Sequence, residues 1–238
     1  MKKFLNIRNI LIILILVVAV VFIYWGRSDS PKDSKAYKLF THFNNYGPEY
    51  GNTENNTIMK LYYKGENKEI TIIYATDYDN EKEVRSFETI DNTTPEWTYH
   101  FQTVNITTKE GMVSYNMDHK EKSCIMFGTS EDQASEFYAK WAEDFMNVIT
   151  NSPYYTRGYE FVNGNLMYYE YFKETDSKFY FNKNNELVYL SAESLSNSIE
   201  TNPKEAYIFE VTISHDSIDN SLIEIPEGYE VKNAEEME

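Results

Sequence analysis

The sequence has one cysteine, Cys124, in 238 residues. A lone cysteine cannot form an intrachain disulfide, so the fold must be held together by its core, which the 21 tyrosines, 14 phenylalanines and 3 tryptophans can supply. Basic residues are also few. Beyond Trp25 the chain carries 19 Lys and Arg against 38 Asp and Glu, a formal charge of −19. Such a surface repels phosphate backbones, which argues against nucleic-acid binding.

Motifs of common catalytic and metal sites are missing. The sequence contains no GxSxG elbow, no P-loop, no HExxH and no dinucleotide fingerprint. The abundant carboxylates belong to an acidic surface and do not by themselves indicate a general acid and base pair. His119 and Cys124 are too isolated for zinc, which needs three or four protein ligands. We therefore expect a protein that is not an enzyme, with no catalytic residue, no metal and no cofactor.

The one long apolar run lies near the N-terminus. Residues 10–25 read ILIILILVVAVVFIYW and follow three basic residues, Lys2, Lys3 and Arg8. This length approaches what a membrane-spanning helix needs, and the preceding positive charges place the N-terminus in the cytoplasm. A cleaved secretory signal and an acylated lipoprotein signal are the alternatives. The bulky residues 22–25 leave no small-residue cleavage site, and Cys124 is far downstream, so we favour an uncleaved signal anchor.

The rest of the chain predicts one α+β domain. A short helix is expected around Ala36–Phe43, and a longer helix capped by Ser130 is expected over Ser130–Thr150. Around these helices, segments rich in β-branched and aromatic residues alternate with polar turns and predict about ten strands. The last predicted strand is SLIEI, Ser221–Ile225, which we expect to close a large curled antiparallel sheet.

These patterns divide the chain into four parts. Residues 1–27 form the cytoplasmic N-terminus and the transmembrane signal anchor, and residues 28–34 form a polar linker. Residues 35–232 form the extracytoplasmic domain, and residues 233–238 form an acidic tail. The predicted location is therefore the cell membrane, with a single span and the domain outside the cytoplasm.

The order of elements resembles the LolA/LolB/LppX and RseB family of exported lipid- and lipoprotein-binding proteins. The matching pieces are EKEVRSFE with Arg85, GMVSYNMDHKEKSCIMF, SKFYFNKNNELVYLSAE and IEIPEGYEV. The resemblance spans Ala36–Val231 and implies an open half-barrel with covering helices. The chain lacks the lipobox cysteine, so the Gram-negative sorting role need not apply. A narrower resemblance to GerS-type germination proteins of Gram-positive bacteria implies a sporulation accessory protein that binds a spore-cortex amidase.

Candidate binding residues follow from strand alternation. In WTYHFQTV, Trp97, Tyr99 and Phe101 point to one side, and Ile70, Ile72 and Tyr74 are expected to do the same on a neighbouring strand. These side chains are expected either to line a groove for acyl chains or to form a core under the long helix. Arg85 is expected either to meet an anionic headgroup or a carboxylate of a partner, or to form a surface ion pair. We therefore predict a membrane-tethered extracytoplasmic protein that binds a lipid, a lipoprotein segment or an envelope protein such as a cell-wall hydrolase.

Overall fold

The computed structural model of the protein describes residues 29–45, 54–94, 98–108, 111–128, 139–192 and 207–234. These residues form two α-helices and twelve β-strands. Helix α1 spans Lys35–Asn44 and helix α2 spans Lys140–Thr150. The strands are β1 (Asn56–Lys64), β2 (Lys68–Asp77), β3 (Lys82–Asp91), β4 (Tyr99–Thr108), β5 (Gly111–Asp118), β6 (Ser123–Gly128), β7 (Thr156–Val162), β8 (Asn165–Phe172), β9 (Ser177–Phe181), β10 (Leu187–Ala192), β11 (Ile208–Ser214) and β12 (Glu230–Asn233).

All twelve strands belong to one sheet, in the order β12-β6-β5-β4-β3-β2-β1-β11-β10-β9-β8-β7. Strands β12 and β6 pair in parallel, and every other neighbouring pair is antiparallel. The sheet is large, open and curled. The predicted α+β class with a large curled sheet is therefore confirmed. The predicted start of the long helix at Ser130 lies outside the described residues.

Both helices pack on one face of the sheet, called here the helix-bearing face. Phe40 of α1 stacks on Phe145 of α2, with ring centroids 4.6 Å apart, and Trp141 is fully buried. The spacing of Ala36, Phe40 and Phe43 along α1 places these side chains on its sheet-facing side. The buried sheet residues beneath the helices include Met59, Leu61, Ile70, Ile72, Phe179, Leu190 and Phe209. This aromatic core replaces the disulfide that the sequence cannot form.

The other face carries a smaller core, covered by the C-terminal segment 216–229. Ile218 is buried there, and Leu222, Ile223 and Ile225 pack against the sheet residues. The prediction that SLIEI is the closing strand is wrong, because Asn220–Leu222 is a 3-10 turn and the last strand is β12. The apolar residues of SLIEI pack onto the face of a sheet, which produces a strand-like pattern without pairing in the sheet. The buried sheet residues of this core are Ala75, Val84, Val104, Met117 and Cys124.

A polar network holds this C-terminal segment in place. The rings of His100 and His119 stack with centroids 3.9 Å apart, and His119 Nδ1 lies 2.8 Å from the Tyr229 hydroxyl. Gln102 Nε2 donates to the Leu222 carbonyl oxygen at 2.8 Å. Burial lowers the pKa of both histidines below its ordinary value. Across the described ranges, no cluster of three or more His, Cys, Asp or Glu is arranged to hold a metal ion.

The chain joins the sheet at Asp29. Asp29 forms an antiparallel β-bridge with Tyr155, and Ser34 Oγ caps α1 by accepting from the Tyr37 amide at 3.0 Å. The predicted linker is thus packed on the domain from Asp29 onward. Within the part of the chain that the structure covers, neither helix has the length and apolar character needed to cross a membrane. The apolar run 10–25 lies outside the described residues.

Candidate functional site

A buried glutamate of the sheet holds the start of helix α2. Glu83 of β3 is 2% exposed, and its Oε2 accepts a hydrogen bond from the Lys140 backbone amide at 2.7 Å. Ala139, at the N-cap position, offers no side-chain cap. The carboxylate therefore satisfies an amide that the helix itself leaves without a partner. Burial raises the pKa of Glu83 above its ordinary value, although Arg85 and the Lys140 amide act in the opposite direction.

Arg85 lies beside this anchor on the same face of β3. Its Nε donates to Glu83 Oε1 and its Nη1 donates to Asp144 Oδ2, each at 2.7 Å. Its remaining nitrogen, Nη2, is buried and has no hydrogen-bond partner among the described residues. A buried polar atom without a partner is costly and marks a place where a ligand or water can bind. Two carboxylates already balance the charge of this guanidinium, so what remains is a donor rather than a free positive charge.

A cleft of about 130 Å³ opens between α2 and the sheet at Arg85. Tyr74 stacks against Trp141 in its wall, with ring centroids 5.7 Å apart. Burial raises the pKa of Tyr74 to about 12. Small-molecule sites usually measure about 300 to 1,000 Å³, so this cleft has room for one small group. The residues that line it include Tyr74, Arg85, Trp141, Asp144, Phe145 and Val148.

An aromatic surface continues from the cleft along β3 and β4. We call Arg85, Phe87, Thr89, Tyr99 and Phe101 the β3–β4 strip. In the sheet register Phe87 faces Phe101 and Thr89 faces Tyr99, so all five side chains lie on the helix-bearing face. The rings of Phe87 and Tyr99 stack at 5.5 Å, and Phe101 is 48% exposed. Thr89 Oγ1 is buried without a hydrogen-bond partner among the described residues. The strip thus combines exposed aromatic surface with two unsatisfied polar atoms.

The structure divides the predicted binding residues into three groups. Ile70 and Ile72 are buried in the core beneath the helices. Tyr74 and Arg85 line the cleft, and Tyr99 and Phe101 lie on the β3–β4 strip. The prediction that the strands of these two sets are neighbours is wrong, because β3 lies between β2 and β4. Trp97 lies outside the described residues.

Sequence reasoning missed four residues of this region. Phe87 and Thr89 share the parity of Arg85 on one strand, so alternation along EVRSFETI was the signal that would have found them. Glu83 shares that parity too, but its role depends on where α2 begins. Asp144 meets Arg85 only because α2 crosses β3, and no local pattern indicates a contact between residues 59 positions apart.

Helix α1 starts on a second buried glutamate, Glu170 of β8. Its Oε1 accepts from the Lys35 amide and its Oε2 accepts from the Ala36 amide, both at 2.9 Å. The Tyr168 hydroxyl donates to Oε1 at 3.2 Å. Burial raises the pKa of this carboxyl as it does for Glu83. Both oxygens of Glu170 are thus used inside the domain.

Comparisons with known proteins add little to this geometry. No family model matches the sequence, and no curated protein matches it. Among solved structures, the fold is similar to the crystal structure of an uncharacterized conserved protein from Thermus thermophilus, at a TM-score of 0.43 and 8% sequence identity. The match covers 84% of this chain and 99% of that chain. A likeness at this level assigns neither a family nor a function.

Proposed function

We propose that the protein is a membrane-anchored extracytoplasmic binding protein of the LolA-like type, whose curled sheet binds a lipid, a lipoprotein segment or a protein partner in the cell envelope. The observation that carries the proposal is the β3–β4 strip, where the exposed ring of Phe101 and the half-buried rings of Phe87 and Tyr99 adjoin a partly buried guanidinium with an unused donor. Exposed aromatic surface beside unsatisfied polar atoms is typical of a binding surface. The protein acts by binding and needs no metal or cofactor.

The geometry narrows the chemistry of the ligand. Glu83 and Asp144 already neutralise Arg85, so an added phosphate or carboxylate would have to displace Asp144, whose side chain is 52% exposed. Nη2 is buried, so a ligand reaches it only when the neighbouring side chains move; a neutral carbonyl oxygen, as in an ester or a peptide bond, can then accept from it without adding charge. The cleft of about 130 Å³ is too small to enclose an acyl chain. The ligand therefore lays its apolar part along the strip and places a carbonyl group at Arg85.

The apolar run 10–25 supports the proposed location of the protein in the cell membrane. The apolar run 10–25 with its preceding basic residues supports an uncleaved signal anchor, with the N-terminus in the cytoplasm and the domain outside. A formal charge of −19 on the exported part keeps the acidic surface away from anionic headgroups. A tethered domain of this kind meets lipids, lipoproteins and membrane-proximal proteins without diffusing away.

A second candidate is an accessory protein of the GerS type that binds and regulates a cell-wall amidase during sporulation or germination. The exposure of the strip favours it, because a surface centred on the 48% exposed Phe101 can accept an apolar side chain and backbone carbonyl of a partner protein. The two candidates use the same residues and differ in what they bind.

Photocrosslinking in the producing cells tests the proposal. The full-length chain carries p-benzoylphenylalanine in place of Phe101, and the control carries it in place of Ile208, which is 42% exposed on the opposite face. We expect an adduct at position 101 that is absent at 208 and weaker in an Arg85→Gln background. A small-mass adduct identifies a lipid, and a larger one identifies a lipoprotein or an amidase. Equal labelling at both positions would overturn the binding role of the strip.

A further inference from the structure

The hairpin of β7 and β8 forms one edge of the sheet and carries the most exposed apolar side chains of the described residues. Tyr159, Phe161 and Leu166 are 67%, 76% and 59% exposed. We call these three residues the hairpin tip. Phe161 faces Leu166 across the two strands, and Tyr159 faces Tyr168, so the tip presents a single apolar face. The turn at Asn163 and Gly164 has positive φ at both residues, a geometry that these two residue types adopt at least cost.

The hairpin tip carries little charge, in contrast to the rest of the domain. Residues 161–169, FVNGNLMYY, contain no ionisable acid or base apart from tyrosine. The neighbouring carboxylate of Glu160 points to the other face of the hairpin, where it accepts from Lys178 Nζ and from the Tyr180 hydroxyl, each at 2.6 Å. The acidity that keeps the domain surface away from anionic lipid is therefore absent from the three side chains of the hairpin tip.

The chain that follows the apolar run is fixed to this same hairpin. Asp29 forms its β-bridge with Tyr155, next to β7, and its carboxylate pairs with Arg157 Nη2 at 2.9 Å. Glu170 of β8 then binds the first two amides of α1. The bridge at Asp29 is antiparallel, so the backbone at Asp29 runs away from the hairpin tip.

The chain between the apolar run and Asp29 is short compared with the length of β7. The apolar run ends at Trp25, four residues before Asp29, which spans at most about 14 Å of extended chain. Along β7, Phe161 lies six residues beyond Tyr155, or about 20 Å. The end of the apolar run therefore lies within reach of the hairpin that carries the tip.

We propose that the hairpin tip docks into the outer surface of the lipid bilayer, beside the point where the anchor leaves it. Tyr159, Phe161 and Leu166 enter the interface between headgroups and acyl chains, where aromatic side chains are favoured. The bilayer is the occupant because the apolar run ends within reach of the same hairpin and because the tip bears no charge to desolvate. Docking at this edge holds the domain in one orientation on the membrane. This inference rests on the membrane anchor of the proposed function.

Spin labels on the full-length chain in nanodiscs test the docking. Phe161→Cys and Leu166→Cys carry the nitroxide at the tip. Phe127→Cys, 39% exposed on β6 near the opposite edge, carries it in the control. The wild-type chain, whose only cysteine is buried, gives the labelling background. Discs of pure phosphatidylcholine and discs with added phosphatidylglycerol hold one chain each, and collision with oxygen and with a water-soluble nickel chelate reports the depth of each label.

Labels at 161 and 166 are expected to show raised oxygen collision and several-fold reduced nickel collision in both disc types, while the label at 127 stays as accessible to nickel as an exposed label in water. If all three labels are equally accessible to nickel while the chain co-elutes with the discs, docking of the tip is overturned and the membrane-spanning signal anchor remains supported. Protection from both reagents would mean that protein covers the tip, which also overturns docking. A chain that does not co-elute with the discs would overturn the anchor and this inference together.

Discussion

The two helices begin in the same way, each on a buried glutamate of the sheet, but the two glutamates have different neighbours. Glu170 divides its two oxygens between two backbone amides of α1 and receives a third bond from the Tyr168 hydroxyl. Glu83 gives one oxygen to the first amide of α2 and the other to Arg85. The hydrogen bonds of Glu170 are all made within the fold, whereas Glu83 also binds a guanidinium that has an unused donor.

This difference separates a structural anchor from a candidate site. A buried carboxylate at a helix start stabilises the helix because it satisfies amides that the helix cannot pair and because it lies at the positive end of the helix dipole. Glu170 does only this. At Glu83 the same arrangement also fixes Arg85 against the cleft and the β3–β4 strip, so the start of α2 and the proposed ligand contact depend on one residue.

The largest loss of stability is expected when Glu170, whose two oxygens both accept from amides of α1, is replaced. Glu170→Ala leaves the Lys35 and Ala36 amides without their acceptors in a buried place. Each unsatisfied group costs about 1 to 3 kcal/mol, so we expect the free energy of unfolding to fall by about 3 kcal/mol. Chemical denaturation of the full-length chain in detergent measures this. The control is Glu210→Ala, an exposed residue of β11, with an expected change within about 0.5 kcal/mol. Equal effects of the two variants would show that Glu170 does not hold α1.

A somewhat smaller loss of stability is expected when Glu83, which holds the start of α2, is replaced. Glu83→Ala removes one amide contact and one partner of Arg85, but Asp144 still holds the guanidinium, so we expect a loss of about 2 kcal/mol. Adding Arg85→Ala to this variant removes the poorly paired charge and should cost less than it does in the wild-type background. A double-mutant cycle measures the coupling, expected at about 1 kcal/mol. Strict additivity of the two changes would contradict the shared arrangement.

The pH dependence of stability shows whether the carboxyl group of Glu170 titrates between pH 4.5 and 7. Burial raises the pKa of Glu170 above 4.5, so the folded state binds this proton more readily than the unfolded state. The resulting stabilisation is complete below pH 4.5 and is lost as the pH rises through the raised pKa of the folded state. Wild type should therefore gain stability relative to Glu170→Ala as the pH is lowered from 7 towards 4.5. Denaturation midpoints of both proteins across this range give the answer, and a constant difference would mean that Glu170 does not titrate in this window.

The smallest effect on stability, but the largest on binding, is expected at Arg85. The pair with Asp144, which is 52% exposed, contributes little, but the buried Glu83 also loses a charged donor, so Arg85→Gln should cost about 1 kcal/mol. Arg157→Gln, which breaks the more exposed pair with Asp29, is the control and should cost less than about 1 kcal/mol, because no fully buried carboxylate loses its partner. Only the Arg85 variant should weaken the crosslink from position 101. If both variants leave the crosslink unchanged, Arg85 takes part only in the arrangement with Glu83 at the start of α2 and does not contact the ligand.

Local sequence patterns were sufficient to predict most of the strands. Alternation along WTYHFQTV placed Tyr99 and Phe101 on one side of their strand, and the register confirms it. Arg85, named from the resemblance of EKEVRSFE, lies on the same face. The same reasoning failed for SLIEI, because an apolar segment lying on a sheet and a strand within it bury similar residues. It also left open whether Ile70 and Ile72 line a groove or form a core, which depends on where the helices lie.

By itself the sequence determined the fold class, the acidic surface and the apolar run, because these follow from composition and from the periods of helix and strand. Only the tertiary structure decided that Glu83 and Glu170 are helix anchors, that Arg85 keeps an unused donor, and that the chain enters the domain beside the β7–β8 hairpin. Each of these depends on contacts between residues tens of positions or more apart, or on which groups are removed from water, and a local pattern carries no information about either.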